Sequence, residues 1–208
     1  MPFSLIQKMR DWLRRAREKP SPITDSGGLG DFIDTRSSLV AQSSLYGYIK
    51  TRAGTRFPEL FEHDEFLQSI NIAKWQVWAA CVSDLATFAG GLIFRERPDP
   101  SLVRRILQSA IDPVLQRTGY PEEAGDGFDS ALQKITTRLA MADFSTAAEL
   151  ENAFTASPDA LIYWAPIVDE LKALDDDIVR NSIRFRWQEP RRELRALLEV
   201  EVLLLSAQ

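Results

Sequence analysis

Apolar residues along this chain recur mostly three or four positions apart, which is the spacing of one face of an α-helix. A clear example is the series Phe128, Leu132, Ile135 and Leu139. No segment alternates apolar and polar residues for long enough to predict a β-strand. The pattern therefore predicts an all-α protein, with a single globular helical domain of about seven to nine helices and a detached basic amphipathic helix in front of it.

Prolines, glycines and capping residues mark where the helices of the domain begin and end. The first predicted helix ends near Ala53, the second runs from about Asp64 to Phe94, and the third runs from Asp99 or Ser101 to Thr118. The later predicted helices cover Gly127–Ala142, the segment from Ser145 to Phe154, a segment that starts at Ser157, and Arg191–Ser206. Pro113 is expected to kink or split its helix. An apolar line continues after Ser157 at Ile167, Leu171, Leu174, Ile178 and Phe185. These elements place the helical domain at residues 32–208.

Residues 1–19 combine an apolar stripe with basic residues around it, and Lys and Arg outnumber Asp and Glu six to two in the first twenty positions. Such a helix is typical of segments that lie on an anionic membrane surface or bind a groove in a partner protein. Packing on the chain's own core and an import presequence are the other interpretations. The residues expected to make the membrane or partner contact are Phe3, Ile6, Lys8, Met9, Arg10, Trp12, Leu13, Arg14, Arg15 and Arg17.

The next segment, residues 20–31, reads PSPITDSGGLGD and is rich in Ser, Gly and Pro. Composition of this kind is typical of flexible linkers. We therefore predict a flexible linker over residues 20–31 that separates the N-terminal helix from the domain.

Composition excludes several classes of protein and several kinds of chemistry. Of the 208 residues, 45% are hydrophobic and 26% are charged, which excludes collagen-like, low-complexity and fully disordered chains. The single cysteine, Cys81, cannot form an intramolecular disulfide, so a reducing compartment fits best. The chain has no GxSxG, GxGxxG or GxxxxGK[ST] motif. The sequence therefore gives catalysis no positive support and predicts no catalytic residue, no metal and no cofactor.

The single histidine, His63, is the one residue through which a histidine-dependent enzyme would have to work. Carboxylates surround it at positions 59, 62, 64 and 65, but consecutive helical residues point in different directions and do not converge on one ion. Acidic residues are also favoured at the start of a helix. A solvated helix start is the interpretation that we favour, and an enzyme dependent on His63 is an alternative.

The net charge of −5 conceals an uneven layout, because residues 121–177 hold thirteen acidic residues against three basic ones. A nucleic-acid binder carries a basic face on a basic domain, so we expect no nucleic-acid partner. The run Arg184–Trp187 interleaves cations with aromatic residues but is only four residues long. Asp175, Asp176 and Asp177 are interpreted as part of a helical charge ladder and not as metal ligands.

The segment Val77–Phe94 is apolar enough to consider as a membrane span. Asp84 lies inside it, and an aspartate near the middle of a span is costly to insert. We therefore interpret this segment as the buried helix of an all-α core.

We also expect no secretory signal in residues 1–20, which lack an uninterrupted apolar core. A cytoplasmic protein, peripheral on the inner face of a membrane through residues 1–19, is the expected location.

Charged residues on this long apolar helix need partners, because an unpaired charge is costly to bury. Cys81, in the same stretch, is expected to be a small buried hydrophobe. For the charges at Lys74 and Asp84 we favour structural ion pairing, with Arg36, Arg52 and Arg56 of the preceding helix and connector as candidate partners. The alternative is an apolar ligand pocket around Trp75 and Trp78, anchored by Lys74 or Asp84, in an all-α carrier or enzyme.

Taken together, the sequence favours a non-catalytic helical binding protein, such as an adaptor, assembly factor or accessory subunit. Its N-terminal helix would tether it to an anionic membrane or to a partner, and its acidic body would bind another protein. The last helix carries further apolar residues outside its main stripe, at Val200, Leu203 and Leu204, which adds a homodimer to the expected interactions.

Overall fold

The computed structural model describes residues 21–149 and 153–206, and all of the regular structure in these ranges is helical. There are eight α-helices and one four-residue turn of helix, α5, which confirms the predicted all-α fold and helix number. The helices are α1 Ser26–Ala53, α2 Asp64–Glu96, α3 Pro100–Thr118, α4 Phe128–Met141, α5 Phe144–Ala147, α6 Ala156–Trp164, α7 Asp169–Arg186, α8 Gln188–Leu197 and α9 Val200–Ser206. Short 3-10 turns cover Gly54–Arg56, Glu59–Glu62 and Glu122–Ala124.

Helix α2 lies at the centre of the domain, and α1, α3, α4, α5 and α6 pack around it. Its 33 residues extend for about 50 Å at the rise of an α-helix. Gly90 and Gly91 lie within α2 and permit the close approach of the segment around α5. A Cβ at Gly90 would lie 2.5 Å from the Phe144 ring, and one at Gly91 would lie 2.4 Å from the Ala148 backbone nitrogen. These glycines therefore serve helix packing and do not end the helix.

The length and composition of α2 are also those of a membrane-spanning helix. Its most apolar 18-residue window has a mean hydropathy of 1.6, and 83% of that window is buried within the structure. Burial by the neighbouring helices accounts for the apolar composition, so this one helix is weak evidence for a membrane span.

The segment predicted to be a flexible linker is part of the folded domain from Ile23 onwards. Ile23 is buried, and its backbone pairs with the chain at the other end of the domain: its N–H donates to the Leu197 carbonyl at 2.8 Å, and its carbonyl accepts from the Glu199 N–H at 3.0 Å. Asp25 caps α1 by accepting from the Gly28 N–H at 2.7 Å. Residues 23–31 are therefore part of the helical domain, which begins before the predicted boundary at residue 32.

Glycine explains why composition was misleading in this segment. A Cβ at Gly30 would lie 2.2 Å from the Ala110 carbonyl oxygen, so this residue lets α1 approach the backbone of α3.

The backbone pairing of Ile23 with Leu197 and Glu199 interrupts the last predicted helix. Instead of one helix over Arg191–Ser206, the structure has α8 and α9, separated at Leu198 and Glu199.

Three further helix boundaries differ from the sequence predictions. Helix α3 continues past Pro113 and is not split. The segment predicted to run from a Ser145 cap contains only α5, and its cap is Asp143, whose carboxylate accepts from the Ser145 N–H at 2.9 Å. Helix α6 begins at Ala156, one residue before the predicted cap.

Candidate functional site

The structure brings Lys74, Trp75 and Trp78 together but fills the space around them with side chains. Trp75 and Trp78 are in edge-to-face contact, with ring centroids 5.8 Å apart, and both rings pack on Phe128. The indole N–H of Trp78 donates to Asp34 at 3.1 Å. Lys74 and the Trp75 indole share Glu123, at 2.7 Å and 3.1 Å. This arrangement is a packed aromatic cluster with satisfied polar atoms.

Asp84 lies apart from that cluster, fully buried and held by three polar contacts. Its carboxylate pairs with Arg138 at 2.5 Å and accepts from the backbone N–H groups of Ala156 and Ser157 at 3.1 Å and 2.8 Å. The first N–H groups of α6 have no partners within their own helix, so Asp84 caps α6 from α2. The partner of Asp84 is therefore Arg138, and that of Lys74 is Glu123, which corrects the predicted pairing with Arg36, Arg52 and Arg56.

Arg138 extends this network toward the turn before α6. Its other terminal nitrogen donates to the Ala153 carbonyl at 2.6 Å, and the Ser157 hydroxyl accepts from the buried indole of Trp187 at 3.0 Å. Three elements distant in sequence, α2, α4 and the start of α6, are thus joined through one ion pair. The network holds the core together, and its geometry gives Asp84 no access to a substrate from solvent.

Burial raises the pKa values of two groups at the centre of α2, Asp84 and Cys81. It raises the pKa of the Asp84 carboxyl, although Arg138 and the Ser157 hydrogen bonds act in the opposite direction. Burial, followed by the charge of Asp84, raises the pKa of the Cys81 thiol well above its ordinary value. A thiol in that state is a poor nucleophile, so Cys81 behaves as the small buried hydrophobe that the sequence predicted.

A cleft of about 1010 Å³ opens on another face of α2. We call it the α2–α4–α6 cleft, because those three helices form it. Its floor on α2 consists of Gln76, Ala79, Ala80 and Ser83, residues three or four positions apart on one helical face. Its walls include Ala131, Lys134, Ile135 and Arg138 from α4, and Ala156, Asp159, Ala160, Tyr163 and Trp164 from α6.

The surface of α7 carries an unusual concentration of exposed apolar side chains. Of the nine large hydrophobic residues that are exposed in the described part of the chain, five lie between positions 163 and 185. Three of them, which we call the α7 apolar face, share one side of α7 and are 69–75% exposed: Leu174, Ile178 and Phe185. Isolated exposed apolar residues are ordinary, but a group along one helix indicates an interaction surface.

The surroundings of the α7 apolar face are charged at both ends. Exposed Glu170 and Asp177 lie beside its Leu174–Ile178 half, and exposed Arg184 and Arg186 lie beside Phe185. Phe185 also lines a groove of about 640 Å³, between α1 and the start of α8, whose apolar walls include Leu39, Val40 and Pro190. An apolar face that leads into a groove is the shape that recognises an amphipathic helix.

The remaining sequence candidates occupy structural or solvated positions. His63 is exposed at the start of α2, and no group of three or more potential metal ligands occurs among residues 21–149 and 153–206. Asp176 pairs with Arg180 at 2.7 Å along the helix, as the predicted charge ladder requires, whereas Asp175 pairs with Arg52 of α1. Of the two aromatic residues in the Arg184–Trp187 run, Trp187 is fully buried and Phe185 is exposed as part of the α7 apolar face.

The residues predicted to contact a membrane or partner, at positions 3–17, lie outside the described residues. Comparison with protein-family models, with curated proteins and with solved structures finds no match for this chain. The α7 apolar face and the charge layout are therefore the features of the molecule that bear on its function.

Proposed function

We propose that this chain is a non-catalytic binding protein whose α7 apolar face docks a basic amphipathic helix of a partner protein. The observation that carries the proposal is the exposure of Leu174, Ile178 and Phe185 on one side of a helix whose opposite side is packed on the domain. An adaptor, assembly factor or accessory subunit works in this way.

Burial of the apolar face supplies the favourable free energy of binding. Transfer of one fully exposed Leu, Ile or Phe side chain from water into an interface contributes about 1.5–3 kcal/mol, before the costs of association. Three neighbouring residues of this type are enough to act as anchors in a helix-in-groove complex. The face therefore gains free energy when a partner covers it.

The charge of the body indicates the chemistry of the partner. Residues 121–177 carry a large excess of acid, and Glu170 and Asp177 border the apolar face directly. Arg184 and Arg186 place positive charge only at the Phe185 end. A helix with basic residues facing the Leu174–Ile178 half matches this layout, because opposite charges at an interface rim speed association and fix orientation.

The test is fluorescence anisotropy with a labelled basic amphipathic peptide and a scrambled peptide of the same composition. We expect the amphipathic peptide to bind and the triple variant Leu174→Ser, Ile178→Ser, Phe185→Ser to weaken binding at least tenfold. The matched control substitutes two other exposed apolar residues, Tyr120→Ser and Met141→Ser, and should change affinity less than twofold.

Three outcomes would overturn the proposal. Equal binding of the scrambled peptide would show that charge alone is recognised. Self-association that the triple variant abolishes would assign the face to a second copy of the chain. Tighter peptide binding after removal of residues 1–20 would assign the face to the chain's own N-terminal segment.

The membrane tether is a second proposal, and the excess of six basic residues over two acidic ones in residues 1–20 favours it. Basic residues near an anionic surface contribute about 1 kcal/mol each, which gives modest and salt-sensitive binding. Flotation of the full chain and of a chain without residues 1–20 tests it. Binding to anionic but not neutral vesicles should be lost on truncation, and failure of both chains to float with the vesicles would refute the tether.

A further inference from the structure

The side of α7 that carries the apolar face also carries one polar residue, and that residue is an amide. Along this side the chain places Leu174, Ile178, Asn181 and Phe185, spaced four, three and four positions apart. At about 100° per residue, all four lie within about 60° of one another around the helix axis. Asn181 is exposed, as its three apolar neighbours are. It therefore lies among the residues of the face and not at its border.

The charged residues of α7 lie farther from this line than Asn181 does. Asp177 and Arg184 are exposed about 60–80° to one side of Leu174, and Arg186 is exposed about 120° to the other side. A helix that covers the apolar face leaves these charges in water at the rim of the interface. The same helix removes Asn181 from water, so the amide needs a partner on the docked helix.

The spacing of the four residues is the one by which two helices pair along a common apolar seam. From Leu174 to Phe185 the seam is about 17 Å long, or three helical turns. A single Asn within such a seam specifies the register of the two helices, because only some alignments give its amide a polar partner. Every other alignment leaves the amide against apolar side chains without a hydrogen bond, which is unfavourable.

The chemistry of the side chain indicates what that partner is. An Asn side chain presents a carbonyl oxygen that accepts and an NH₂ group that donates. A second amide accepts from that NH₂ group and donates to that oxygen at the same time. A carboxylate only accepts and a Lys ammonium only donates, and each would also bring a charge into the apolar seam, which is costly.

We infer that Asn181 sets the register of the docked helix, which places an Asn or Gln side chain opposite it, between the residues that cover Ile178 and Phe185. This inference rests on the proposed docking of an amphipathic helix on the α7 apolar face and defines the partner more closely. The partner is a basic amphipathic helix whose apolar stripe is interrupted once, near its centre, by an amide. Asn181 is a specificity-determining residue that lowers the affinity for a fully apolar stripe.

The test is a double-mutant cycle measured by fluorescence anisotropy with the full chain. Two labelled basic amphipathic peptides carry five stripe positions at heptad spacing and differ only at the central one, which is Asn in the first peptide and Leu in the second. We expect the wild-type chain to bind the Asn peptide at least threefold more tightly than the Leu peptide. Asn181→Leu should reverse this preference, so that the coupling between the two positions is at least tenfold.

Three controls separate register from general effects of polarity. Asn181→Gln retains an amide and should keep the preference for the Asn peptide. Gln108→Leu makes the corresponding change at an exposed amide on α3 and should leave both affinities within twofold. A third peptide of the same composition has its Asn at the first stripe position. It should bind the wild-type chain at least threefold more weakly than the central-Asn peptide, because pairing its amide with Asn181 carries its other apolar residues past the end of the face.

The results distinguish failure of this inference from failure of the proposed function. If the wild-type chain binds the Asn and Leu peptides equally and the Leu174→Ser, Ile178→Ser, Phe185→Ser variant binds neither, the face docks a helix but Asn181 does not set its register. Equal gains of both peptides from Asn181→Leu would overturn the inference in the same way. If neither peptide binds the wild-type chain, both proposals are wrong. Asn181 is exposed, so its replacement leaves the core intact and the folded chain available for measurement.

Discussion

Helices α2 and α7 both carry apolar residues at helical spacing, but those of α2 are buried, whereas three of those on α7 are exposed. On α2 the apolar residues are covered on nearly all sides, and the charged residue among them, Asp84, is fully buried with its partners. On α7 the residues that face the core are Asp175, Val179 and Ile183, whereas Leu174, Ile178 and Phe185 face solvent. The neighbours of α7 cover only one of its sides, so its other apolar side is the one available to a partner.

The largest difference that we expect between the two helices concerns their acidic residues. Asp84→Ala leaves Arg138 and the first N–H groups of α6 without their acceptor, and removing one partner from a buried ion pair costs about 3–5 kcal/mol. The exposed Asp177 on α7 is the matched control, because its replacement by Ala should change stability by less than about 0.5 kcal/mol. Denaturant unfolding of both variants measures the difference. A cost below 1 kcal/mol for Asp84→Ala would contradict the network described for α2.

Two isoleucines on α7 test the assignment of its two sides directly. Ile183 is 0% exposed and Ile178 is 71% exposed, although they are five residues apart on the same helix. Ile183→Ala should destabilise the protein by about 2–4 kcal/mol through lost burial and a cavity, and Ile178→Ala by less than about 0.5 kcal/mol. Similar losses for the two variants in thermal or denaturant unfolding would show that the α7 apolar face is covered in the folded protein.

These differences also show how much of the protein the sequence reveals. Periodicity predicts α2, α3 and α4 well, because their apolar residues do face a common core. It also finds the line through Leu174, Ile178 and Phe185, but spacing alone does not tell which side of a helix the domain covers. The partner of Asp84 lies 54 positions away at Arg138, and no local pattern connects the two.

The segment around Gly30 shows that glycine content alone does not distinguish a linker from a closely packed helix. A run of Gly, Ser and Pro predicts a linker, yet Gly30 is present because α3 passes so close to α1. We expect Gly30→Ala to cost about 1–3 kcal/mol, since its Cβ would meet the Ala110 carbonyl oxygen. Gly28→Ala should instead stabilise α1 by up to about 1 kcal/mol, because its Cβ would lie at ordinary contact distance from Asp25. Equal effects of the two substitutions on the unfolding midpoint would support a linker there.

The smallest expected effect is a pH dependence of opposite sign for the buried acids of α2 and α7. Burial raises the pKa of Asp84, whereas hydrogen bonds from Arg52 lower the pKa of Asp175, which is only 8% exposed. The unfolded reference for both is a pKa of 3.8. The stabilisation linked to Asp84 should decline as pH rises above that value through its folded pKa, and the stabilisation linked to Asp175 should be lost as pH falls below it.

Comparison of the wild-type chain with Asp84→Asn and Asp175→Asn in unfolding experiments measures both slopes. The free energy of unfolding of the wild type relative to Asp84→Asn should fall as the pH rises above 3.8. Relative to Asp175→Asn it should fall as the pH is lowered below 3.8. Slopes of the same sign would contradict the assigned environments.

The most direct test of the α7 apolar face as a docking surface is methyl NMR of the full chain during addition of the basic amphipathic peptide. We expect the methyl resonances of Leu174 and Ile178 to shift in proportion to the bound fraction, while those of the buried Ile183 and of the cleft residue Ile135 stay in place. Saturating peptide that leaves Leu174 and Ile178 unmoved, or that shifts Ile135 instead, would contradict the account.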